Sequence, residues 1–158
     1  MSGSETVLNQ FETNYLNIFS VLRLAQWLSK RHLGWLARLL LLAANTIFSS
    51  SVPLSLSVGR FSVCEHRGLG VVIHPQAVVG DHVHIFPHVV LGGKGRGIPG
   101  APVVGDNVTL GAGAKILGPI RIGNNAVVGA NAVVLTDVPA GAVAVGNPAR
   151  IVGSGSER

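Results

Sequence analysis

From Ile73 onward, a branched aliphatic residue recurs every six positions along the chain. The ten residues at this leading position are Ile73, Val79, Ile85, Leu91, Val104, Leu110, Ile116, Ile122, Val128 and Val134. An α-helix repeats at about 3.6 residues and a strand at two, whereas a six-residue repeat is typical of a parallel β-helix. Three short strands then form one triangular coil, and the leading side chains stack inside it. The repeat therefore predicts an all-β fold.

Small residues surround the leading positions. Glycine follows the leading residue in six of the ten units, and aromatic residues make up only 5% of the chain. The fifth position of a unit is usually Ala or Val, as at Ala77, Val83, Val89, Val108, Ala114, Ala126, Ala132 and Val138. We expect the glycines to allow the unusual backbone angles of tight corners without a Cβ clash. The core is expected to consist of small aliphatic side chains.

The segment 1–50 differs from the rest of the chain because its apolar residues follow helical spacing. This spacing predicts an amphipathic helix over 16–28 and a second helix over 33–48. The second run contains Arg38 and is shorter than the roughly 20 residues that span a membrane, so we expect a buried or interfacial helix, with peripheral membrane contact left open. The predicted organisation is a helical segment (1–50), a β-helix domain (51–153) and a tail (154–158).

The net charge and the cysteine content limit the kinds of partner and the cellular compartment that we expect. The formal charge of +5 favours an anionic partner, such as a phosphorylated cofactor or an acidic membrane surface. Cys64 is the only cysteine, and the N-terminus lacks the pattern of a secretory signal. We therefore expect a cytoplasmic protein. No nucleic-acid partner and no resident metal are expected.

Two interruptions break the six-residue period. Between Cys64 and Ile73 the spacing is nine, so three extra residues bulge out within 65–70, and between Leu91 and Val104 it is thirteen, which adds a seven-residue loop. Loops that leave a rigid scaffold commonly carry function. We therefore expect the functional residues at these two places.

His66 lies in the first interruption, directly after Glu65. A neutral imidazole can take a proton from a hydroxyl that attacks a thioester, and a nearby carboxylate can orient the ring or stabilise the imidazolium. Spacing alone predicts an ordinary exposed histidine at least as well. His66 is therefore a candidate general base, with Glu65 as its candidate partner.

Other basic residues suggest further contacts with ligands. Lys94 and Arg96 in the second loop could meet phosphate groups, although the loop matches no P-loop, and Lys115 projects beside a flat coil face. A solvated surface explains all three equally well. Four histidines also permit a zinc site between subunits, namely His74, His82, His84 and His88. Most of these four occupy outward repeat positions, which argues against metal binding.

Several segments resemble the hexapeptide-repeat acyltransferases, most closely the serine acetyltransferases. The segments are GVVIHPQAVVGDHVHI, VVLGG, GDNVTLGAGAKILG and VGNPARIVG, within about residues 58–153. The resemblance implies a left-handed β-helix, a homotrimer with active sites between subunits, and acetyl-CoA bound in the cleft between neighbours. It also implies direct attack of the acceptor hydroxyl on the thioester.

The resemblance also assigns roles to individual positions. The family's acidic-His pair falls on Glu65 and His66, with Glu in place of the usual Asp, which makes His66 the base. Its coenzyme contacts fall on Gly93, Ala112 and Ala130, with Lys115 adjacent. Small residues at these positions would let the pantetheine arm lie against the coil.

One departure from the family leaves the acceptor open. Serine acetyltransferases carry an Arg-His pair before the Pro of the second loop, and here those positions are Gly100 and Ala101. We expect an acetyl-CoA-dependent O-acetyltransferase whose acceptor is L-serine or a sugar of a polysaccharide precursor. The alternatives are a zinc hydratase of the carbonic anhydrase type and a non-enzymatic scaffold that docks through 33–48.

Overall fold

The computed structural model describes residues 16–95 and 97–154. The helices in this part are α1 (Ile18–Lys30) and α2 (Gly34–Ile47), and a 3-10 helix spans Glu65–Gly68. The strands are β1 (Ser57–Val58), β2 (Val63–Cys64), β3 (Val72–Ile73), β4 (Val78–Val79), β5 (His84–Ile85), β6 (Val90–Gly92), β7 (Val103–Val104), β8 (Thr109–Leu110), β9 (Lys115–Leu117), β10 (Arg121–Ile122), β11 (Val127–Val128), β12 (Val133–Val134), β13 (Ala142–Gly146) and β14 (Ala149–Ser154).

The strands stack into three sheets, which form the three faces of a prism. Face I contains β1, β4, β7 and β10, face II contains β2, β5, β8, β11, β13 and β14, and face III contains β3, β6, β9 and β12. Pairing is parallel except between β13 and β14, which close the C-terminal end as an antiparallel pair. The chain visits faces I, II and III in turn. The predicted parallel β-helix with an N-terminal helical segment is confirmed.

Strand register measures the length of each coil. Thr109 pairs with Val127, so the coil between them consists of three six-residue units. The coil from Val63 to its partner His84 is longer by three positions, and the coil from His84 to its partner Thr109 is longer by seven. The two interruptions therefore lengthen their coils by the amounts that the spacing predicts.

The core follows the repeat closely. All ten leading residues are at most 3% exposed, and so are the eight Ala and Val residues at the fifth position. The buried side chains of the coils and of both helices form one continuous cluster. Burial of these aliphatic groups is the main stabilising contribution.

Glycine occupies the corners for a different reason from the one expected. Gly105 and Gly111 do not have positive φ; instead, a Cβ on Gly111 would lie 2.6 Å from the backbone nitrogen of Ala130 in the next coil. At the corners between faces I and II and between faces II and III, the left-handed residue comes three positions after the leading residue, at His82, His88, Asn107, Gly113, Asn125 and Asn131. Asn and His tolerate that conformation better than most residues. Glycine therefore makes room for the neighbouring coil, and the next residue but one makes the turn.

The two helices cover the N-terminal end of the β-helix. Asn17 caps α1 by accepting hydrogen bonds from the backbone of Phe19 and Ser20. Arg23, Gln26 and Asn45 donate side-chain hydrogen bonds to main-chain carbonyls of the first coil, at Gly59, Ser62, Leu54, Leu56 and Val52. These carbonyls have no preceding coil to pair with, so the helix side chains satisfy them.

Some of the predicted organisation lies beyond the described residues. Residues 1–15 of the helical segment, Arg96, and 155–158 of the tail fall outside them, while Ser154 is the last residue of β14. None of the described helices is long and apolar enough to cross a membrane.

Candidate active site

The corner between faces II and III carries most of the predicted site residues. Main-chain hydrogen bonds stack its successive turns: His88 donates to the carbonyl of Leu69, Gly113 to Pro87, and Asn131 to Ala112. The turns are 65–71, 86–89, 111–114 and 129–132. We call this column the II–III corner.

The first interruption forms the 3-10 turn at the start of the II–III corner. His66 and Arg67 both have left-handed backbone conformations, with φ of 49° and 67°. The following Gly68 is buried against Ile18 of α1, so close that a Cβ on Gly68 would collide with the Ile18 side chain. The helical hairpin, which consists of α1 and α2, therefore fixes this turn. His66 is exposed on the turn.

Glu65 contacts a different histidine from the expected one. Its Oε1 lies 2.9 Å from Nδ1 of His84 on β5, whereas the side chain of His66 makes no hydrogen bond with the described residues. The left-handed turn at His66 separates it from its chain neighbour Glu65, and the lengthened first coil stacks His84 next to that carboxylate. The catalytic roles of Glu65 and His66 stay predictions.

Cys64 precedes this pair and is buried. Burial raises the pKa of the Cys64 thiol well above its usual value; the Glu65 carboxylate raises it further, while Arg23 opposes the shift. The thiol is therefore protonated near neutral pH. It is not available as a nucleophile.

Three of the predicted cofactor residues also lie at the II–III corner. Ala112 and Ala130 occupy equivalent positions in successive turns, and Lys115 begins β9 directly after the corner. The Lys115 ammonium donates hydrogen bonds to the carbonyls of Gly113 and His88, at 2.7 and 3.2 Å. An ammonium has three donors, so one remains for a ligand.

Gly93, the fourth predicted cofactor residue, lies elsewhere. It follows β6 at the corner between faces III and I, where the loop 93–102 leaves the coil. A Cβ on Gly93 would lie 3.5 Å from the carbonyl oxygen of Gly100, and Lys94 packs over Gly118 at the same corner. Face III therefore separates Gly93 from His66 within one chain.

The second loop lies against the coil at Gly100 and Ala101. A Cβ on Gly100 would be 2.8 Å from the Cβ of Pro119, and Ala101 is buried. Gly100 also has a φ of 107°, which glycine adopts without strain. These two positions therefore offer no charged side chain to a substrate.

His74, His82 and His88 lie at corners of the β-helix. His82 stacks on Phe61 with ring centroids 5.0 Å apart, and Nδ1 of His74 accepts a hydrogen bond from the backbone of Gln76. In the part of the chain that the structure describes, no three His, Cys, Asp or Glu side chains come together as a metal site. A zinc site would need ligands from neighbouring subunits.

Comparison with known proteins agrees with this arrangement. Residues 101–136 match the model of the bacterial transferase hexapeptide family, which comprises six repeats. A serine acetyltransferase of Helicobacter pylori is 42% identical over 132 residues, which cover 82% of this chain and 76% of the relative. The chain belongs to the serine acetyltransferase family. The resemblance inferred from the sequence motifs is confirmed.

Two further members of the serine acetyltransferase family are longer than this chain. Probable serine acetyltransferase 5 of Oryza sativa subsp. japonica is 50% identical over 108 residues, which are 68% of this chain and 32% of the relative. The crystal structure of serine acetyltransferase from Brucella abortus in complex with coenzyme A matches with a TM-score of 0.79 and 36% identity, over 86% of this chain and 54% of that one. The chain thus spans about a third of the plant relative and about half of the Brucella protein.

Proposed function

We propose that this chain is an acetyl-CoA-dependent O-acetyltransferase. The observation that carries the proposal is the II–III corner, which brings His66, Ala112, Ala130 and Lys115 onto one edge of the β-helix. Support comes from the family, whose members include the Brucella enzyme solved with coenzyme A.

His66 is the proposed general base. Its imidazole takes the proton of the acceptor hydroxyl while the hydroxyl oxygen attacks the thioester carbonyl. The carbon–sulfur bond then breaks, and the leaving coenzyme A thiolate takes the proton back from the imidazolium. Glu65 is the proposed acidic residue of this site, and its carboxylate lies 2.9 Å from Nδ1 of His84. The products are an acetyl ester and free coenzyme A.

Acetyl-CoA is the proposed co-substrate, held along the II–III corner. The methyl side chains of Ala112 and Ala130 leave space for the pantetheine arm, and the free donor of Lys115 is available to a phosphate. Gly93 lies at the other edge of face III. We therefore propose a homotrimer in which the III–I corner of one subunit faces the II–III corner of the next, so that Gly93 completes the neighbour's site. A cytoplasmic location belongs to the same proposal.

L-Serine is the first acceptor to test, because the relatives are named serine acetyltransferases. A second candidate is a sugar hydroxyl. Gly100 and Ala101 favour it, since neither of these two positions before Pro102 carries a basic side chain that would pair with the carboxylate of an amino acid.

Release of free thiol from acetyl-CoA tests the activity, with L-serine and with nucleotide-linked sugars as separate acceptors. We expect His66→Asn to lower kcat by about 10²–10⁴-fold, the range for loss of a general base. Asn tolerates the left-handed backbone of this position, so the fold should persist.

His82→Asn is the matched control, because His82 is also exposed and left-handed, with a φ of 55°. It should leave kcat unchanged. Wild-type turnover in His66→Asn would remove the assignment of the base. Absence of thiol release with every hydroxyl acceptor would remove the proposed activity.

A further inference from the structure

The outward face of α2 is apolar where a solvent-facing helix would be polar. Trp35, Leu39 and Leu42 are 69%, 57% and 64% exposed. They follow helical spacing along one side of α2, and we call them the α2 stripe. Single exposed apolar residues are common on protein surfaces, but three large ones on one helix face indicate an interaction site.

The opposite side of α2 is already occupied. Ala37, Leu41 and Ala44 are buried against the rest of the molecule, and Asn45 bonds to the first coil through both of its polar side-chain atoms. These contacts fix the rotation of α2 about its axis. The α2 stripe therefore faces away from the β-helix and has no partner among the described residues.

The helical hairpin is also the main source of the positive charge. Residues 16–50 contain Arg23, Lys30, Arg31 and Arg38 and no Asp or Glu, which gives +4 of the formal +5. The rest of the chain carries only +1. Arg38 lies directly beside the α2 stripe, and Arg31 lies over the ring of the half-exposed Trp27, 5.2 Å from its centroid.

We propose that the α2 stripe docks on an anionic lipid bilayer, with α2 lying in the plane of the interface. A helix with Leu and Trp on one face and basic residues at its side is suited to this position. Tryptophan favours the level of the lipid headgroups, and Lys and Arg are attracted to anionic lipids. A second copy of this chain fits less well, because a contact between two hairpins would bring the basic residues of 16–50 together, and these residues include no Asp or Glu to offset the charge.

Binding of the full chain to vesicles tests the proposal. Trp27 and Trp35 are the only two tryptophans, so their fluorescence reports on the hairpin alone. Vesicles of phosphatidylcholine with phosphatidylglycerol should shift the emission to shorter wavelength and carry the protein in flotation. Vesicles of phosphatidylcholine alone should bind much less, and added salt should weaken binding because it screens the attraction.

Leu39→Gln with Leu42→Gln should lower the affinity for anionic vesicles by at least about tenfold, since two exposed leucines lose their apolar partner. Arg38→Gln should lower it by about fivefold, the effect of one basic residue near an anionic surface. The matched control is Ile151→Gln with Val152→Gln, which replaces exposed apolar residues on β14 and should leave binding unchanged. All these positions are exposed, so thermal unfolding should show that each variant is folded.

Three results would overturn the proposal. The first is no binding to anionic vesicles, and the second is equal binding to neutral ones. The third is a self-assembled state, measured by light scattering without lipid, that Leu39→Gln with Leu42→Gln dissociates. That result would make the α2 stripe an interface between copies of the chain.

Discussion

The two interruptions of the repeat are built in different ways. The bulge at 65–70 adds three residues to its coil, has positive φ at four of its six positions, and packs its buried Gly68 against Ile18 of α1. The loop at 93–102 adds seven residues, and a Cβ on its Gly95 or Gly97 would meet no atom within 4 Å. The bulge is thus held by a second structural element, whereas Gly95 and Gly97 of the loop have no such close neighbour.

This difference indicates that the bulge and the loop have different roles in the proposed enzyme. A general base must be within hydrogen-bond reach of the proton that it removes, so a turn fixed by α1 is a suitable place for His66. The loop is held at its base by Lys94 over Gly118 and by Gly100 against Pro119, and the space beside Gly95 and Gly97 leaves room for a cofactor or a neighbouring subunit. The short helical segment therefore contributes to the site by fixing the bulge.

Substitution of two glycines that share the same φ gives the strongest test of whether the bulge is held more tightly than the loop. Gly68 and Gly97 both have a φ of 88°, but only Gly68 has neighbours that a methyl group would strike. Gly97→Ala should cost about 1–2 kcal/mol, the penalty for a left-handed residue with a Cβ. Gly68→Ala should cost about 2–5 kcal/mol, because overpacking against Ile18 and Cys64 adds to that penalty.

The free energies of unfolding of both variants can be compared in urea at one protein concentration. Equal losses at the two positions would show that α1 does not constrain the bulge.

The fold was predictable because its signal is periodic. Each coil repeats one pattern, with a branched aliphatic residue inside and a small residue at the corner. All ten units therefore indicate the same fold. Even the lengthening of two coils, by three and by seven positions, followed from counting between Cys64 and Ile73 and between Leu91 and Val104. The role of the corner glycines was predicted wrongly. The order of amino acids alone does not show that the backbone of the next coil lies 2.6 Å from the Cβ position of Gly111.

The site was less predictable because it depends on which residues stack. Sequence neighbours suggested that Glu65 supports His66, but the carboxylate contacts His84, 19 positions away. The length of the first coil could have predicted this contact, because it pairs Val63 with His84 and so places His84 beside Glu65. The two corners of face III could likewise have been separated by counting units, because Gly93 follows a face III strand while Ala112 and Ala130 precede one.

Cys64 offers a smaller test of how tightly the bulge is closed. Its thiol is buried, and burial raises its pKa, so less thiolate is present near pH 8 than in a free cysteine. Alkylation in the native protein should be at least about tenfold slower than for a small free thiol. Gly68→Ala should speed it up, because the new methyl group displaces Ile18 or Cys64.

Gly97→Ala is the control, and it should leave the alkylation rate at the wild-type value. Rapid alkylation of the wild type under native conditions would show that the bulge opens readily.

The smallest expected effect concerns the pair of Glu65 and His84. Their side chains are 26% and 42% exposed, so water screens the interaction and its contribution should be about 0.5–1 kcal/mol. A double-mutant cycle with Glu65→Gln and His84→Gln isolates this coupling in the free energy of unfolding. The same double-mutant cycle, measured in kcat, tests whether the Glu65–His84 pair also affects His66. If Glu65 acts on the base only through its charge, Glu65→Gln should lower kcat equally in the wild-type and His84→Gln backgrounds. A kcat loss that disappears in the His84→Gln background would instead show that the carboxylate acts by holding His84 in place.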